Sequence, residues 1–212
     1  MLTDAQRDAL ESAWTSARAA GVLGPADITE IDEHAAGFLP AALSLSGEVP
    51  LRAIDMGTGA GIPGVLLAVA LPRSTWRLVD ADGSRLVHAR AAVACLGLDD
   101  RVMVAHARVD ELGHEPGWRG SADLVVARLF GPPSEVLECG LPLVARAGRL
   151  VVSVARSRLS EWSGLDLGPF GAMIERTWDT ATGAYVAVAR TGAELDDRLP
   201  RRPAARRRAP LV

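Results

Sequence analysis

The stretch Ala53-Ile-Asp-Met-Gly-Thr-Gly-Ala-Gly-Ile-Pro-Gly64 joins an apolar run to closely spaced glycines. Glycine has no Cβ atom, so it tolerates positive φ angles and lets the backbone approach a ligand closely. Proline favours the first turn of a helix, whose free N–H groups attract anionic ligand groups. The stretch therefore predicts a strand that turns sharply into a helix around a nucleoside-containing cofactor.

The spacing of these glycines fits two cofactor-binding patterns. Residues 59–64 match the Gly-x-Gly-x-x-Gly pattern of dinucleotide-binding folds, with Asp80 about 20 residues later to bind a ribose. Residues 55–61 match the acidic-x-Gly-x-Gly-x-Gly pattern of methyltransferases that use S-adenosylmethionine (SAM). The second pattern accounts for more of the sequence and places an acidic residue near the amino acid part of the cofactor. Its predicted cofactor-binding residues are Asp55, Gly57, Gly59 and Gly61.

Length and composition are those of a soluble globular domain. The chain has 212 residues, 49% of them hydrophobic and 23% charged, which is enough for one domain with a full core. It lacks both a run of about 18 uncharged apolar residues and a signal-peptide pattern, so we expect a cytoplasmic protein, a monomer, without a membrane span. Cys95 and Cys139 are too few for a disulfide framework or a zinc site, and no metal site is predicted.

The charge is unevenly distributed along the chain. Lysine is absent, so lysine catalysis is excluded. Residues 198–212 contain six arginines and no acidic residue, whereas 17 arginines and 26 acidic residues give residues 1–197 a net charge of −9. Because prolines interrupt the basic segment, we predict an extended or disordered arm that is suited to phosphate backbones.

Apolar runs alternate with helical segments, which favours βαβ units and a parallel sheet. Strands are expected near 51–56, 75–80, 101–106, 122–128 and 148–154, and helices near 63–71, 83–97, 132–145 and 157–164. Extended runs at 170–178 and 183–190 then predict an antiparallel hairpin at the sheet edge. The layout predicts an α/β fold of class I SAM-dependent methyltransferases, Rossmann-like with a seven-stranded, mostly parallel sheet. A dinucleotide-binding domain normally continues with a sixth parallel strand.

Three parts of the chain are predicted from this pattern. Residues 1–50 form an N-terminal helical cap that begins with a helix near 3–19. Residues 51–191 form the SAM-binding core, and residues 192–212 form a flexible tail rich in arginine and proline.

Ligands of such open sheets lie at the carboxyl ends of the strands. This rule nominates Asp80, whose carboxylate could accept both ribose hydroxyls. The segment Arg108-Val109-Asp110 would meet the adenine, and Asp110 could accept the adenine amino hydrogens or, equally, cap a short helix. Arg128 ends the fourth strand beside the transferred methyl group and the target, and it is the predicted catalytic residue.

The residues after the fourth strand narrow the target. Enzymes that methylate exocyclic amines of bases often carry Asp/Asn-Pro-Pro-aromatic there, and enzymes that attack carbon 5 of pyrimidines need a cysteine nucleophile. This chain has Arg128-Leu-Phe-Gly-Pro-Pro133. A ring nitrogen such as guanine N7 already has a free lone pair, so positioning suffices. Arg128 could hold guanine O6 or a phosphate while leaving N7 free, or it could form an ion pair with a neighbouring carboxylate.

The chain resembles, over nearly its full length, the bacterial small-subunit ribosomal RNA guanine-N(7) methyltransferases, formerly called glucose-inhibited division protein B. The similar segments are the cap from Gly21 to His34, the loop 55–64, Leu78-Val-Asp80 with Arg85, Ala107-Arg108-Val-Asp110, Ala127-Arg128 and the tail. The resemblance implies SAM as cofactor and guanine in 16S ribosomal RNA, alone or in the small ribosomal subunit, as target.

Several positions depart from the family pattern. Ala35-Ala-Gly-Phe38 replaces a Leu/Ile-Leu-Asp/Asn-polar segment, Ser84 replaces a lysine, and Val154-Ala155 replaces Lys-Gly. Two alternatives therefore stay open, namely a divergent relative that methylates a small molecule and an RNA-binding module without catalysis. A nicotinamide oxidoreductase is a more remote alternative.

Overall fold

The computed structural model describes residues 2–45, 47, 49–192 and 194–212. The strands are β1 Leu51–Met56, β2 Ser74–Asp80, β3 Val102–His106, β4 Ala122–Arg128, β5 Val144–Val154, β6 Ala172–Thr180 and β7 Gly183–Arg190. The α-helices are α1 Asp4–Ala19, α2 Ile28–Ala36, α3 Leu39–Leu43, α4 Gly64–Ala70, α5 Gly83–Cys95, α6 Val109–Leu112, α7 Pro133–Gly140 and α8 Pro203–Arg208. Shorter 3-10 helices span Leu141–Leu143, Arg156–Trp162 and Gly168–Phe170.

The strands form one sheet in the order β3-β2-β1-β4-β5-β7-β6. Neighbouring strands from β3 to β5 in this order are parallel, β7 runs antiparallel to β5, and β6 runs antiparallel to β7. This topology confirms the five parallel strands and the antiparallel hairpin that the sequence predicts. The chain order reverses between β1 and β4, so the carboxyl ends of these two strands frame the crevice where open sheets bind ligands.

Both faces of the sheet are buried, because successive residues of the central strands enter two separate hydrophobic cores. On β4, Leu124 and Val126 pack in the core that includes α1, α2, α4 and α5. Val125 and Ala127 pack in the core that includes α7. A strand buried on both faces reads as a continuous apolar run, which explains why β4 is recognisable in the sequence.

The first helix braces the loop that follows β1. Thr3 caps α1 and forms a capping box with Gln6. Further along α1, the fully buried Trp14 donates its indole N–H to the carbonyl oxygen of Ala60 at 3.0 Å. The N-terminal helices α1 to α3 therefore support the glycine loop, while a domain boundary at residue 50 stays a prediction.

Two predicted helices are wrong in extent or type. Helix α7 ends at Gly140, and a 3-10 turn that contains Pro142 follows it. Proline lacks the N–H that would continue the α-helical bonding, so β5 begins at Val144 rather than at 148. The helix predicted at 157–164 is a 3-10 helix at Arg156–Trp162. None of the described helices has the length and apolar character that a membrane span requires.

The basic tail lies against the body of the protein, in contrast to the predicted extended arm. Residues 203–208 form α8, and the Arg201 guanidinium donates two hydrogen bonds of 2.8 Å to Glu138 on α7. Glu138 is only 1% exposed, and a carboxylate buried to this degree requires a cationic partner. Counting charges along the sequence does not reveal this contact, because the two residues are 63 positions apart.

Candidate functional site

The glycine loop lies at the carboxyl end of β1, where the sheet order reverses. Gly57, Gly59 and Gly61 have φ angles of +73°, +57° and +99°, which residues with a Cβ rarely adopt. Gly64 is required for a different reason, because a Cβ there would lie 2.8 Å from Asp55 Oδ2. The loop can therefore turn tightly between β1 and α4 only with glycine at these positions.

Asp55 lies under the loop and not in an open cavity. Its side chain is fully buried, and Oδ2 accepts hydrogen bonds from the Thr58 hydroxyl at 2.6 Å and the Gly64 N–H at 2.9 Å. Burial raises the pKa of Asp55 to about 6, although these two hydrogen bonds and the positive charge of Arg128 act in the opposite direction. This position gives Asp55 a role in shaping the loop. Its Oδ1 has no hydrogen-bond partner among the described residues, and the predicted contact with the amino acid part of a cofactor stays a prediction.

Asp80 ends β2 and holds the other side of the loop. Its Oδ2 accepts a hydrogen bond from the Gly59 N–H, and its Oδ1 accepts one from the Asp82 N–H, both at 2.9 Å. A carboxylate oxygen can accept two hydrogen bonds, so each oxygen can still accept one from a ligand hydroxyl. The two backbone bonds fix the carboxylate at the edge of the crevice.

A cavity of about 270 Å³ opens beside the glycine loop, and we call it the loop cavity. Five predicted cofactor-binding residues border it, namely Gly57, Asp80, Arg108, Val109 and Asp110. Gly59 and Gly61 lie in the loop outside this lining, as does the buried Asp55. The structure therefore brings the predicted ribose and adenine residues together in one cavity.

The wall that faces the predicted adenine position is built on α6. Arg108 is the N-cap residue of α6, so Asp110 does not cap the helix. Asp110 Oδ2 instead accepts a hydrogen bond from Arg108 Nη2 at 3.0 Å and lies 3.4 Å from Arg206 Nη2. Burial opposes ionisation of Asp110, but the hydrogen bond and charge of Arg108 and the charge of Arg206 together lower its pKa. Asp110 is thus an ionised acceptor at neutral pH.

Arg128 borders a second cavity, of about 490 Å³, which we call the arginine cavity. Helix α2, the ends of β4 and β5 and the turn of the β6–β7 hairpin form its walls. Charged and titratable side chains in its lining are Glu30, His34, Arg128 and Arg156. Within the described ranges no residue forms a hydrogen bond or ion pair with the Arg128 guanidinium, so the neighbouring-carboxylate alternative finds no partner there.

The surroundings of Arg128 are unfavourable for an isolated charge. Burial lowers its pKa more than the nearby acidic groups Asp55, Tyr185 and Glu30 raise it. A partly buried cation without a hydrogen-bonding partner is costly unless a ligand supplies acceptors. The arginine cavity therefore suits an incoming molecule with acceptor oxygens.

His34 faces the arginine cavity from α2. Its Nδ1 lies 3.3 Å from the carbonyl oxygen of Thr182, which can only accept, so Nδ1 carries the proton. The buried Nε2 has no hydrogen-bond partner among the described residues. Burial lowers the pKa of His34, and the charge of Arg128 lowers it further, which leaves the ring neutral at pH 7. His34 therefore presents an unused acceptor beside the unused donors of Arg128.

Leu129 separates the two cavities and borders both. Its φ angle is +55°, which is rare for leucine, and its side chain is 84% exposed. Strained backbone angles of this kind persist where a functional site requires them. The two cavities thus adjoin at the end of β4, where both are bordered by Leu129.

Several residues of the two cavities were not predicted as site residues. Leu129 and Phe130 directly follow Arg128, so the rule that ligands lie at strand ends could have nominated them. His34 belongs to the cap segment, and its role depends on α2 packing against the hairpin, where Tyr185 donates its hydroxyl to the His34 carbonyl oxygen at 2.6 Å. Arg206 reaches the loop cavity from the tail, and no local pattern in the sequence points to it.

A further cavity, of about 480 Å³, lies at the opposite end of the sheet, where the strands begin. Arginines that line it are already paired, as Arg52 is with Asp123 and Arg101 is with the carbonyl oxygen of Ala68. Ligands of open sheets bind at the other end, so we assign the candidate site to the loop and arginine cavities. In the described part of the chain, His, Cys, Asp and Glu side chains form no group of three that could hold a metal ion.

Comparisons with known proteins show which proteins this chain resembles. The model of the family described as "GidB: rRNA small subunit methyltransferase G" matches residues 18–168. The ribosomal RNA small subunit methyltransferase G of Synechococcus sp. (strain CC9902) is 34% identical over 134 residues, which cover 63% of this chain and 53% of that protein. The protein of the same name from Roseiflexus castenholzii is 33% identical over 165 residues, 78% of this chain and 62% of that protein. The chain spans about half the length of the first of these relatives.

Among solved structures, the magnesium protoporphyrin IX methyltransferase of Synechocystis PCC 6803 with bound SAM is similar, with a TM-score of 0.60. The two chains are 17% identical, and the match covers 90% of this chain and 98% of that chain. At this identity the likeness concerns the fold alone. Together with the strand order, it confirms the predicted class I SAM-dependent methyltransferase fold.

Proposed function

The chain belongs to the GidB family, rRNA small subunit methyltransferase G, and on that premise we propose that it methylates guanine N7 in 16S ribosomal RNA with SAM as the methyl donor. The observation that carries this proposal is the pair of adjoining cavities with Leu129 between them. One cavity is edged by a glycine loop and acidic groups. The other is edged by an arginine for which the described residues provide no hydrogen-bond or ion-pair partner. Two molecules bound in these cavities would meet beside Leu129.

The residues around the loop cavity fit SAM. The two oxygens of Asp80 suit the two hydroxyls of a ribose, and the carboxylate of Asp110 suits the amino group of adenine. Val109, which is 6% exposed, supplies an apolar side chain on the same wall. When bound, SAM supplies a methyl group on a positively charged sulfur, activated for direct transfer. In this proposal Asp55 acts indirectly, because it holds the loop in shape.

The arginine cavity fits guanine in RNA. Arg128 can donate to guanine O6 or to a phosphate, which leaves the N7 lone pair free for the methyl group. The neutral His34 can accept an N–H of the base at Nε2. Methylation of N7 needs neither a general base nor a covalent intermediate. These residues therefore need only hold the two reactants in line.

Calorimetry with the two candidate cofactors tests this proposal. We expect the protein to bind SAM and its demethylated product but not NAD, because residues 55–61 and the C-terminal hairpin follow the methyltransferase pattern. Tight binding of NAD together with no binding of SAM would overturn the proposal.

The tail arginines allow the proposed RNA interaction to be tested through the salt dependence of binding. Arg201 and Arg206 pair with acidic side chains, and the exposed Arg198 pairs with Asp196. Three further arginines of the tail are exposed, namely Arg202, Arg207 and Arg208. We expect alanine at these three positions to reduce the slope of log affinity against log salt for single-stranded RNA by about 2, at about 0.7 per phosphate contact. The measurement is a salt titration of RNA binding.

Lysine at the same three positions is the matched control, because it keeps the charge and should keep the slope. An unchanged slope in the alanine variant would remove these arginines from RNA binding. It would also favour a small molecule, rather than RNA, as the methyl acceptor.

A further inference from the structure

The C-terminal tail forms part of the loop cavity. Arg206 of α8 is 8% exposed and borders the cavity, whereas the adjacent Arg207 and Arg208 are exposed. One arginine of three consecutive ones is therefore directed into the protein. Such a burial of charge requires specific partners, and the structure provides them.

Contacts upstream of α8 anchor the tail beside the cavity. The Arg201 N–H and guanidinium both donate to the buried carboxylate of Glu138 at 2.8 Å. The carbonyl oxygen of Pro200 lies 2.8 Å from His114 Nε2, and the side chain of Leu199 is 3% exposed in the core that includes α7. These contacts hold residues 199–201 against α7 and the segment after α6.

Arg206 uses this anchor to reach the acidic wall. Its Nη1 donates to the carbonyl oxygen of Arg201 at 2.6 Å, which fixes the guanidinium plane. Its Nη2 lies 3.4 Å from Asp110 Oδ2 and 3.7 Å from Glu135 Oε1. The guanidinium therefore bridges the tail and two of the three acidic side chains that border the cavity, Asp110 and Glu135.

Both arginine contacts of Asp110 fall on the same carboxylate oxygen. Arg108 Nη2 and Arg206 Nη2 both approach Oδ2, at 3.0 Å and 3.4 Å. Two cations on one oxygen restrict the rotation of the carboxylate. Because Arg108 is half exposed and Arg206 is buried, Arg206 is the more strongly fixed of the two.

We propose that Arg206 is a positioning residue of the cofactor site, which orients Asp110 so that its Oδ1 oxygen accepts the amino group of adenine. This inference rests on the proposed function. In this proposal the tail has two roles. Its buried Arg206 contributes to SAM binding, and its exposed arginines contribute positive charge at the surface. This differs from the flexible arm for phosphate backbones that the sequence predicts.

Calorimetry of SAM binding to Arg206→Ala and Arg207→Ala tests the proposal. Neighbouring charges in one network couple strongly, so we expect Arg206→Ala to weaken SAM binding by about 5- to 20-fold. The matched control Arg207→Ala should stay within about twofold, as an exposed substitution does. In the double variant with Asp110→Asn, the Arg206→Ala change should add little, because Arg206 acts through Asp110.

An adenine analogue separates positioning from general stability. S-inosylhomocysteine carries a carbonyl oxygen where S-adenosylhomocysteine carries the amino group, so position 6 offers Asp110 no hydrogen, and the one N–H on this edge of the ring lies at N1 instead. We expect Arg206→Ala to weaken binding of the adenosyl ligand by about 5- to 20-fold and to leave binding of the inosyl ligand nearly unchanged. Equal losses for both ligands, or no loss for either, would overturn the proposal.

Hydrogen exchange of the unmodified protein keeps the test valid if Arg206→Ala does not fold. By linkage, a ligand that depends on the docked tail must also stabilise it. We expect S-adenosylhomocysteine to slow the exchange of amides in α8 more than S-inosylhomocysteine does. Equal protection by both ligands would contradict the role of Arg206. Failure of the unmodified protein to bind any adenosyl ligand would instead contradict the proposed function itself.

Discussion

Arg128→Ala is expected to lower the rate of methyl transfer by about 100-fold or more, which is the usual cost of removing one preorganised donor at a reacting group. SAM affinity should stay within about threefold, or roughly 0.7 kcal/mol. The reason is the separation of the cavities, since Arg128 borders the arginine cavity and not the loop cavity. Single-turnover transfer to RNA and calorimetry with SAM measure the two effects separately.

Two variants serve as controls for Arg128→Ala. Arg128→Lys keeps the charge but loses the planar fork, so it should recover only part of the activity. Arg158→Ala removes an exposed arginine that pairs with Glu161, and both measurements should stay within about twofold. Loss of SAM binding to the same extent as activity would place Arg128 in the cofactor site or in the fold, which contradicts its proposed role.

Asp80→Ala is expected to weaken SAM binding by about 10- to 150-fold, which corresponds to roughly 1.5–3 kcal/mol for lost hydrogen bonds to a charged group. The substitution removes the acceptors for the ribose and also those of the Gly59 and Asp82 N–H groups. The loop would then lose one of its supports in addition to the ligand contact. Calorimetry with SAM measures this effect.

Asp80→Asn distinguishes the two contributions. The amide keeps one acceptor oxygen, so it can hold one loop N–H but cannot accept both ribose hydroxyls. We expect a smaller loss of affinity than for alanine and a nearly unchanged melting temperature. SAM binding by Asp80→Ala with unchanged affinity would exclude Asp80 from the ribose site.

The sheet and its loop could be predicted because their signals are local. Strand β4 is buried on both faces, which requires the continuous apolar run Leu124-Val-Val-Ala127. The glycines at 57, 59 and 61 occupy backbone conformations that exclude most other residues, so their spacing predicts the turn directly. The carboxyl-end rule then pointed to Asp80 and Arg128 once the strands were identified.

The direction of a side chain was harder to predict than its position. The glycine pattern nominated Asp55 by residue type and spacing. Successive residues of a strand point to opposite faces, and Asp55 points under the loop, where Thr58 and Gly64 occupy Oδ2. A sequence pattern does not separate a residue that shapes a loop from one that contacts the ligand.

The docked tail could not be predicted because its partners are distant in sequence. A segment with six arginines and no acidic residue is typical of a solvated arm. Glu138 and Asp110 lie on α7 and α6, and only the packing of those helices beside the sheet creates acidic sites for Arg201 and Arg206. The same tertiary packing creates the wall at Leu129 between the two cavities.

The most direct test of the central claim is nucleoside mass spectrometry after incubation of the full chain with isotopically labelled SAM. The substrates are undermethylated small ribosomal subunits and the corresponding naked 16S ribosomal RNA. Methyl transfer between the two adjoining cavities to guanine N7 predicts label in 7-methylguanosine, and strongly reduced label with Arg128→Ala. Label in another nucleoside, or RNA without label while the protein binds SAM, would contradict the account.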